Sequence, residues 1–133
     1  MINFDLSNRV AVVTGGAQGF GFAISERFIK SGAKVIIWDI DKKATEEAIE
    51  KLNSKECSYQ LVDVTNFDEI KKSLSDIETK FEKIDIFINN AGIAGKNTTV
   101  AEYPLEEWKK VIELNLHAVF YCCKAVVPFM DKN

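Results

Sequence analysis

Short runs of consecutive apolar residues alternate along this chain with longer stretches in which apolar residues recur every three or four positions. Strands are predicted at residues 10–13, 35–38, 59–64 and 84–88, and the unbroken run at 10–13 predicts a central strand that is buried on both faces. The longer stretches predict amphipathic helices. Strands that alternate with helices form βαβ units, whose right-handed crossovers place the strands in one parallel sheet. The pattern therefore predicts an α/β fold.

Several helix boundaries are marked by local signals. The first helix is predicted to begin near Gly21 and to stop at Gly32, which holds the place of a C-terminal glycine. Asp41 is placed to cap a helix that runs to about Leu52. The Thr-x-x-Asp sequence that starts at Thr65 resembles a capping box for the next helix. The apolar stripe of that helix, predicted as core, is Phe67, Ile70, Leu74, Ile77 and Phe81.

The stretch after the fourth predicted strand is irregular. Residues 93–103 are predicted to form a surface loop near the strand ends, where ligands of open α/β sheets bind. Pro104 fits the first turn of the helix that follows. From Trp108 onward that helix is apolar on most sides, so it needs cover on more than one face.

The loop after the first strand carries candidate chemistry. Its spacing is Thr-Gly-x-x-x-Gly-x-Gly, at Thr14, Gly15, Gly19 and Gly21. A strand that feeds a helix through such a loop aims backbone N–H groups and a helix N-terminus at one point, which predicts an anion site, although glycines also make ordinary turns. The second predicted strand ends in Asp39, where an acidic side chain can hold the ribose hydroxyls of an adenosine.

Composition narrows the class of protein. Residues 1–133 suffice for a single domain. The chain has 17 basic and 20 acidic residues and is slightly negative. Its lysines and arginines form no cluster, so a nucleic-acid or membrane-surface partner is not expected. The amino terminus lacks a signal-peptide pattern and no run approaches a membrane span, which predicts a cytoplasmic protein. Cys57, Cys122 and Cys123 have neither disulfide nor metal spacing and are predicted to be buried thiols.

These motifs together resemble the short-chain dehydrogenase/reductase family over about residues 10–130. The matching stretches are Thr14-Gly15-Gly16-Ala17-Gln18-Gly19-Phe20-Gly21, Asp63-Val64, Asn89-Asn90-Ala91-Gly92 and Glu113-Leu114-Asn115-Leu116. The resemblance implies a Rossmann-type, doubly wound parallel sheet in the order 3-2-1-4. It implies contacts with a nicotinamide cofactor from Gly15, Gln18, Gly19, Phe20, Gly21, Asp39, Ile40, Asp63, Val64, Asn90, Ala91 and Gly92.

The resemblance implies a catalytic role for Asn115, which in the family helps to hold a lysine through a water molecule. Purely structural interpretations of both asparagines stay open. Asn90 could be a turn residue, and Asn115 could be a polar residue of a mostly buried helix. His117 has no partner in the motifs, so packing or hydrogen bonding is the favoured interpretation.

The family's later motifs are not found in this chain. Members of the family continue through a catalytic serine and a Tyr-x-x-x-Lys pair. No tyrosine of this chain has a lysine four residues later, since that position holds Asp63 after Tyr59, Glu107 after Tyr103 and Ala125 after Tyr121. The fourth strand would also be an apolar edge in the order 3-2-1-4. We therefore expect residues 1–133 to be a dinucleotide-binding domain truncated at its C-terminal side and inactive alone.

The leading hypothesis is an oxidoreductase that transfers a hydride between a nicotinamide cofactor and a secondary alcohol or ketone. Candidate small-molecule substrates are a 3-oxoacyl thioester, a sugar and a polyol. Asp39 and Gln18 favour NAD over NADP, although Lys42 and Lys43 could reach a phosphate. The last helix is too apolar to face water, and in the family the corresponding helix often packs against a neighbouring subunit, so the resemblance implies that the complete protein is a homo-oligomer, a tetramer. The alternative is a non-catalytic nucleotide-binding or interaction module that is complete at this length.

Overall fold

The computed structural model describes residues 2–130. Four parallel strands form one sheet in the order β3-β2-β1-β4, which confirms the predicted topology. The strands are β1 (Val10–Thr14), β2 (Lys34–Asp39), β3 (Cys57–Leu61) and β4 (Ile86–Ile88). In the centre of the sheet, Val12 lies opposite Ile36 of β2 and Phe87 of β4. All of β1 is buried, as its uninterrupted apolar run predicts.

Helices cover both faces of the sheet. They are α1 (Gly19–Lys30), α2 (Lys42–Leu52), α3 (Phe67–Phe81), α4 (Leu105–Ile112) and α5 (Ala118–Met130), and a π-helical segment, Glu113–His117, joins α4 to α5. Alternate strand residues point to opposite faces. Val12 and Ile36 pack in one core with α3 and α5, and Ala11 and Val35 pack in the other with α1 and α2. This is the doubly wound arrangement.

Two local helix signals are confirmed. The Asp41 side chain accepts a hydrogen bond from the Ala44 N–H at 3.0 Å and caps α2. Gly32 adopts φ +94° directly after the end of α1, a left-handed conformation that favours glycine, and its N–H donates to the Ile29 carbonyl. The start of α1 lies at Gly19, two residues before the predicted start.

The predicted end of the third strand is wrong. The strand ends at Leu61, although Val62 and Val64 are buried as predicted for strand residues. The Val62 N–H still donates to the Asp39 carbonyl of β2 at 3.0 Å. The Asp63 N–H turns away and donates to the Glu69 carboxylate at 2.9 Å, which ends the pairing.

The predicted capping box is displaced by one residue. Asn66 caps α3, since its side-chain oxygen accepts from the N–H groups of Asp68 and Glu69 at 3.1 and 3.2 Å. The Thr65 hydroxyl donates instead to Asp63 at 2.7 Å, so it does not serve the helix. The predicted stripe is correct at its centre, where Ile70, Leu74 and Ile77 are buried, whereas Phe67 and Phe81 are half-buried.

The last helix is longer and more exposed than a core helix. Pro104 occupies its N-cap, just before the predicted first turn, and Leu105–Met130 is continuous over 26 residues. Within residues 2–130 it is the one helix long and apolar enough to cross a membrane, so the expectation that no run approaches that length is wrong. A single helix that meets this length and composition is weak evidence, and it does not indicate a membrane protein.

Candidate functional site

The carboxyl ends of the strands and the first turn of α1 surround a cavity of about 1110 Å³. Open parallel sheets bind ligands in this position. Eleven of the predicted site residues line the cavity: Gly15, Gln18, Gly19, Phe20, Asp39, Ile40, Asp63, Val64, Asn90, Ala91 and Gly92. The structure thus brings together residues that are up to 77 positions apart in the chain. Two predicted site residues, Gly21 and Asn115, do not line it.

Glycine is required at two different kinds of position in the loop. Gly15 and Gly19 adopt φ +60° and +54°, where other residues are strained, and Gly19 faces open space. Gly21 is buried, and a Cβ there would overlap the Gly15 carbonyl oxygen and approach the Asn90 amide to 2.5 Å. Gly21 therefore packs beneath the loop, and its predicted cofactor contact stays a prediction.

The N-terminus of α1 is arranged to receive an anion. Its N-cap, Gln18, makes no side-chain capping hydrogen bond, and the first turn contains no acidic residue. A helix N-terminus carries partial positive charge and N–H groups that lack an intrahelical acceptor. The loop and this helix end therefore fit a pyrophosphate, because the ligand would supply the acceptors that the chain itself does not.

Asp39 is fixed beside the glycine loop. One carboxylate oxygen accepts from the Ala17 N–H at 3.2 Å, and the other accepts from the Asp41 N–H at 3.1 Å. These two bonds hold the carboxylate at the end of β2, on the cavity wall. A carboxylate accepts further hydrogen bonds, so this position suits the hydroxyls of a ribose.

Thr14 and Asn90 tie the end of β1 to the end of β4. The buried Thr14 hydroxyl donates to the Ile88 carbonyl at 3.2 Å and accepts from the N–H groups of Asn90 and Ala91, both at 3.0 Å. The Asn90 amide donates to the carbonyls of Thr14 and Gly15 at 3.0 Å. Asn90 is therefore more than a turn residue, because its side chain holds the glycine loop.

Asn115 lies in the π-helical segment and is exposed, in contrast to the mostly buried helix considered above. Its side-chain oxygen accepts from the Ile93 N–H at 2.9 Å, and its amide donates to the Ile93 carbonyl at 2.8 Å. Both backbone groups of one loop residue are thus paired by one side chain. The structure places Asn115 as a clamp on the loop after β4, and its catalytic role stays a prediction.

Sequence reasoning missed the wall of the cavity that α4 provides. The additional lining residues are Trp38, Val62, Thr65, Ile93, Glu106, Lys109, Lys110, Glu113 and Leu114. Five of them come from one face of the last helix, at positions 106, 109, 110, 113 and 114. Their spacing of three and four was a visible signal, but nothing local indicated that this face turns toward the strand ends.

The histidine, the cysteines and the acidic residues show which further chemistry the described residues can supply. His117 forms the predicted hydrogen bond, to Glu113 at 2.7 Å. Burial raises the pKa of Cys57 to about 11, and burial together with the nearby Cys123 raises that of Cys122 to about 12, so both remain protonated thiols. Among residues 2–130, no group of three His, Cys, Asp or Glu residues could hold a metal ion.

A parallel sheet in this order, with a glycine loop at a helix N-terminus and an acidic residue at the end of the second strand, is a Rossmann-type fold. The family model for short chain dehydrogenases matches residues 9–133, and the chain therefore belongs to that family. This family of oxidoreductases uses nicotinamide cofactors.

Individual relatives agree with the family assignment. The chain is 36% identical to the 3-oxoacyl-[acyl-carrier-protein] reductase FabG of Chlamydia muridarum over 98% of its length and 54% of that protein. It is 33% identical to the 3alpha-hydroxysteroid dehydrogenase of Mediterraneibacter gnavus over 96% of its length and 52% of that protein. The chain thus spans about half the length of these relatives.

Among solved structures, the chain resembles the 3-ketoacyl-(acyl-carrier-protein) reductase of Brucella melitensis complexed with NADH. The TM-score is 0.91 at 29% identity, over 97% of this chain and 53% of that one.

Proposed function

We propose that this chain is the cofactor-binding half of an NAD-dependent oxidoreductase that interconverts a secondary alcohol and a ketone. The observation that supports this best is the convergence of the glycine loop, the uncapped α1 N-terminus and the Asp39 carboxylate on one cavity. Each part suits a different piece of a dinucleotide, and the family supplies the reaction class.

The residues divide the binding of such a cofactor among them. The glycine loop and the first turn of α1 hold the pyrophosphate, and Asp39 accepts hydrogen bonds from the adenosine ribose. Asp63 and Val64, after β3, border the adenine. Asn90 keeps the loop in shape through its bonds to Thr14 and Gly15. When bound, the cofactor donates or accepts a hydride at its nicotinamide ring.

We expect a preference for NADH over NADPH. A 2′-phosphate would lie against the Asp39 carboxylate, and two unit charges about 4 Å apart repel by roughly 4 kcal/mol at an effective dielectric near 20. Even about 1.4 kcal/mol, after solvent screening, is tenfold in affinity. Lys42 could offset this charge, but in the structure it pairs with Glu46 at 3.8 Å.

Titration with both reduced cofactors tests this preference. We expect NADH to bind at least about tenfold more tightly than NADPH, and Asp39→Asn to narrow that ratio. Asp76→Asn, on the exposed side of α3, is the matched charge control and should leave the ratio unchanged. Tighter binding of NADPH by the unaltered chain would show that Asp39 has been misinterpreted.

The proposal extends to the class of substrate and to the group that donates a proton to it. A 3-oxoacyl thioester, a sugar or a polyol would suit a carbonyl reductase of this family. Carbonyl reduction needs a proton donor beside the hydride acceptor, and no tyrosine here has a lysine four residues on. Loss of general acid–base help typically removes about a hundredfold to ten-thousandfold of rate.

The proposed function is tested on residues 1–133, purified free of host dehydrogenases. Trp38 lines the cavity, so energy transfer from its indole to the reduced nicotinamide reports binding. We expect saturable binding of NADH and no enzyme-like oxidation of NADH with a panel of 3-oxoacyl esters and ketoses. Absence of binding would favour the non-catalytic module, and robust turnover would show that the chain does not need further residues.

A further inference from the structure

The cavity has a second wall, opposite the strand ends, to which no part of the dinucleotide has been assigned. Glu113, the first residue of the π-helical segment, lines the cavity together with Asp63. The residues that follow these two, Leu114 and Val64, also share the lining of a small adjacent cleft. The loop after β3 and the π-helical segment therefore meet, and each contributes one acidic residue to the lining of the same cavity.

The position of the Glu113 carboxylate is held by two side chains on the next turns of the helix. His117 Nδ1 lies 2.7 Å from Glu113 Oε2. Tyr121 lies near Glu113, and partial burial, followed by hydrogen bonding to Glu113 and the charge of Glu113, raises the pKa of Tyr121. The phenol therefore stays neutral and can donate to the carboxylate.

The supporting tyrosine is itself anchored to the neighbouring helix. Its ring packs edge-on against Phe67, the first residue of α3, with centroids 6.2 Å apart. The His117 ring lies 6.3 Å from the same tyrosine ring. Glu113 is thus connected through Tyr121 to the start of α3, four residues after Asp63. Fixed acceptors discriminate between ligands because little rotamer freedom remains to be lost on binding.

The two lysines that precede Glu113 in the cavity lining form ion pairs with other carboxylates. Lys109 pairs with Glu106 at 3.0 Å, and Lys110 pairs with Glu107 at 3.2 Å. A carboxylate has about four lone-pair positions, so the bonds from His117 and Tyr121 leave Glu113 able to accept another donor. Ionised carboxylates accept and do not donate, and two of them at one end of a cavity select a ligand group with two N–H donors.

We propose that Glu113 selects the base of the bound dinucleotide by accepting a hydrogen bond from the exocyclic amino group of adenine. The amino group has two N–H donors, which allows one for Glu113 and one for Asp63. A base with an oxo group at that position would turn a lone pair toward both carboxylates. This inference rests on the proposed function, since it assumes that the cavity binds a dinucleotide with its adenine near Asp63.

The direct test compares NADH with reduced nicotinamide hypoxanthine dinucleotide, in which an oxo group replaces the amino group of the base. We expect the unaltered chain to bind the hypoxanthine analogue at least about tenfold more weakly, the lower range for a hydrogen bond to a charged group. Equal affinity for the two would overturn the inference while leaving the proposed function intact. Failure to bind either would overturn both.

Variants distinguish the contribution of Glu113 to base selectivity from that of Asp63. Glu113→Gln should narrow the ratio of the two affinities several-fold, because a carboxamide can donate to the oxo group. Glu50→Gln removes an exposed carboxylate from α2, outside the cavity lining, and should keep the original ratio. Tyr121→Phe should narrow the ratio in part, since it removes one of the two groups that hold Glu113. An unchanged ratio in Glu113→Gln, with circular dichroism showing a folded chain, would refute the assignment.

Discussion

At the scale of single residues, the clearest electrostatic feature lies at the amino ends of β1 and β4, whereas the cavity lies at their carboxyl ends. Asp85 accepts from the Val10 N–H at 2.8 Å and pairs with Arg9 at 3.1 Å and Lys83 at 3.0 Å. Burial alone would raise the pKa of Asp85. The hydrogen bond from Val10 and the bonds and charges of Lys83 and Arg9 outweigh it and hold the pKa below 3.8.

Replacement of this carboxylate should therefore cost stability in a pH-dependent way. We expect Asp85→Asn to lower the free energy of unfolding by about 1–3 kcal/mol at pH 7. A lowered folded-state pKa contributes stability above the unfolded value, and that contribution is lost as the pH falls through the folded-state pKa. Urea unfolding at pH 7 and pH 3 measures this. If Asp85→Asn lowered the free energy of unfolding as much at pH 3 as at pH 7, this would contradict a lowered pKa for Asp85 in the folded state.

At the scale of elements, the π-helical segment determines how the loop after β4 is held. In the sequence, Asn115 and Ile93 are 22 residues apart, and their two hydrogen bonds join the last helix to the first residue of that loop. The cavity is lined by Ile93 on the loop side and by Glu113 and Leu114 on the helix side. The Asn115 clamp therefore sets the width of the cavity at this end.

Removal of the clamp should release the loop without unfolding the domain. We expect Asn115→Ala to accelerate hydrogen exchange of the Ile93 amide by about tenfold to a hundredfold, from two bonds worth roughly 0.5–1.5 kcal/mol each. Asn115→Asp keeps the acceptor for the Ile93 N–H and should have a smaller effect. Asn97→Ala, in the same exposed loop, is the control. Unchanged protection of Ile93 in Asn115→Ala would argue against the clamp.

At the scale of the whole molecule, two surfaces present features usually covered in folded proteins. The last helix exposes large apolar side chains, among them Trp108 at 59% and Phe120 at 61%. The strand β4 pairs with β1 on one side only, although its three residues are Ile, Phe and Ile. Exposed apolar helices and unpaired strand edges mark interaction surfaces.

We expect the complete protein to be a homo-oligomer, a tetramer, in which the last helix is covered by another subunit. Light scattering at micromolar concentration measures the mass. Phe120→Glu should lower it, because a charge would be buried in the contact. Val100→Glu, at an exposed apolar residue outside this helix, should not. A monomeric mass for the unaltered complete protein would refute the prediction.

The sequence by itself determined the features that depend on neighbouring residues. The apolar run of β1, the cap at Asp41 and the left-handed Gly32 follow from side-chain size, hydrogen bonding and backbone freedom within a few positions. The glycine loop and Asp39 were identified because they follow two successive apolar runs, which the structure shows to be adjacent parallel strands. The predicted cavity residues after β3 and β4 came from the resemblance to the family's motifs.

Only the tertiary structure decided the features that depend on distant partners. The third strand ends where Asp63 finds Glu69, and α3 is capped by Asn66 because Thr65 is already bonded to Asp63. Gly21 proved to be a packing position, since its neighbour is the Gly15 carbonyl. The helix wall that carries Glu113 was not predicted, because its orientation is set by packing against α3. Such contacts join residues across the fold, and no local pattern specifies which distant group will occupy each one.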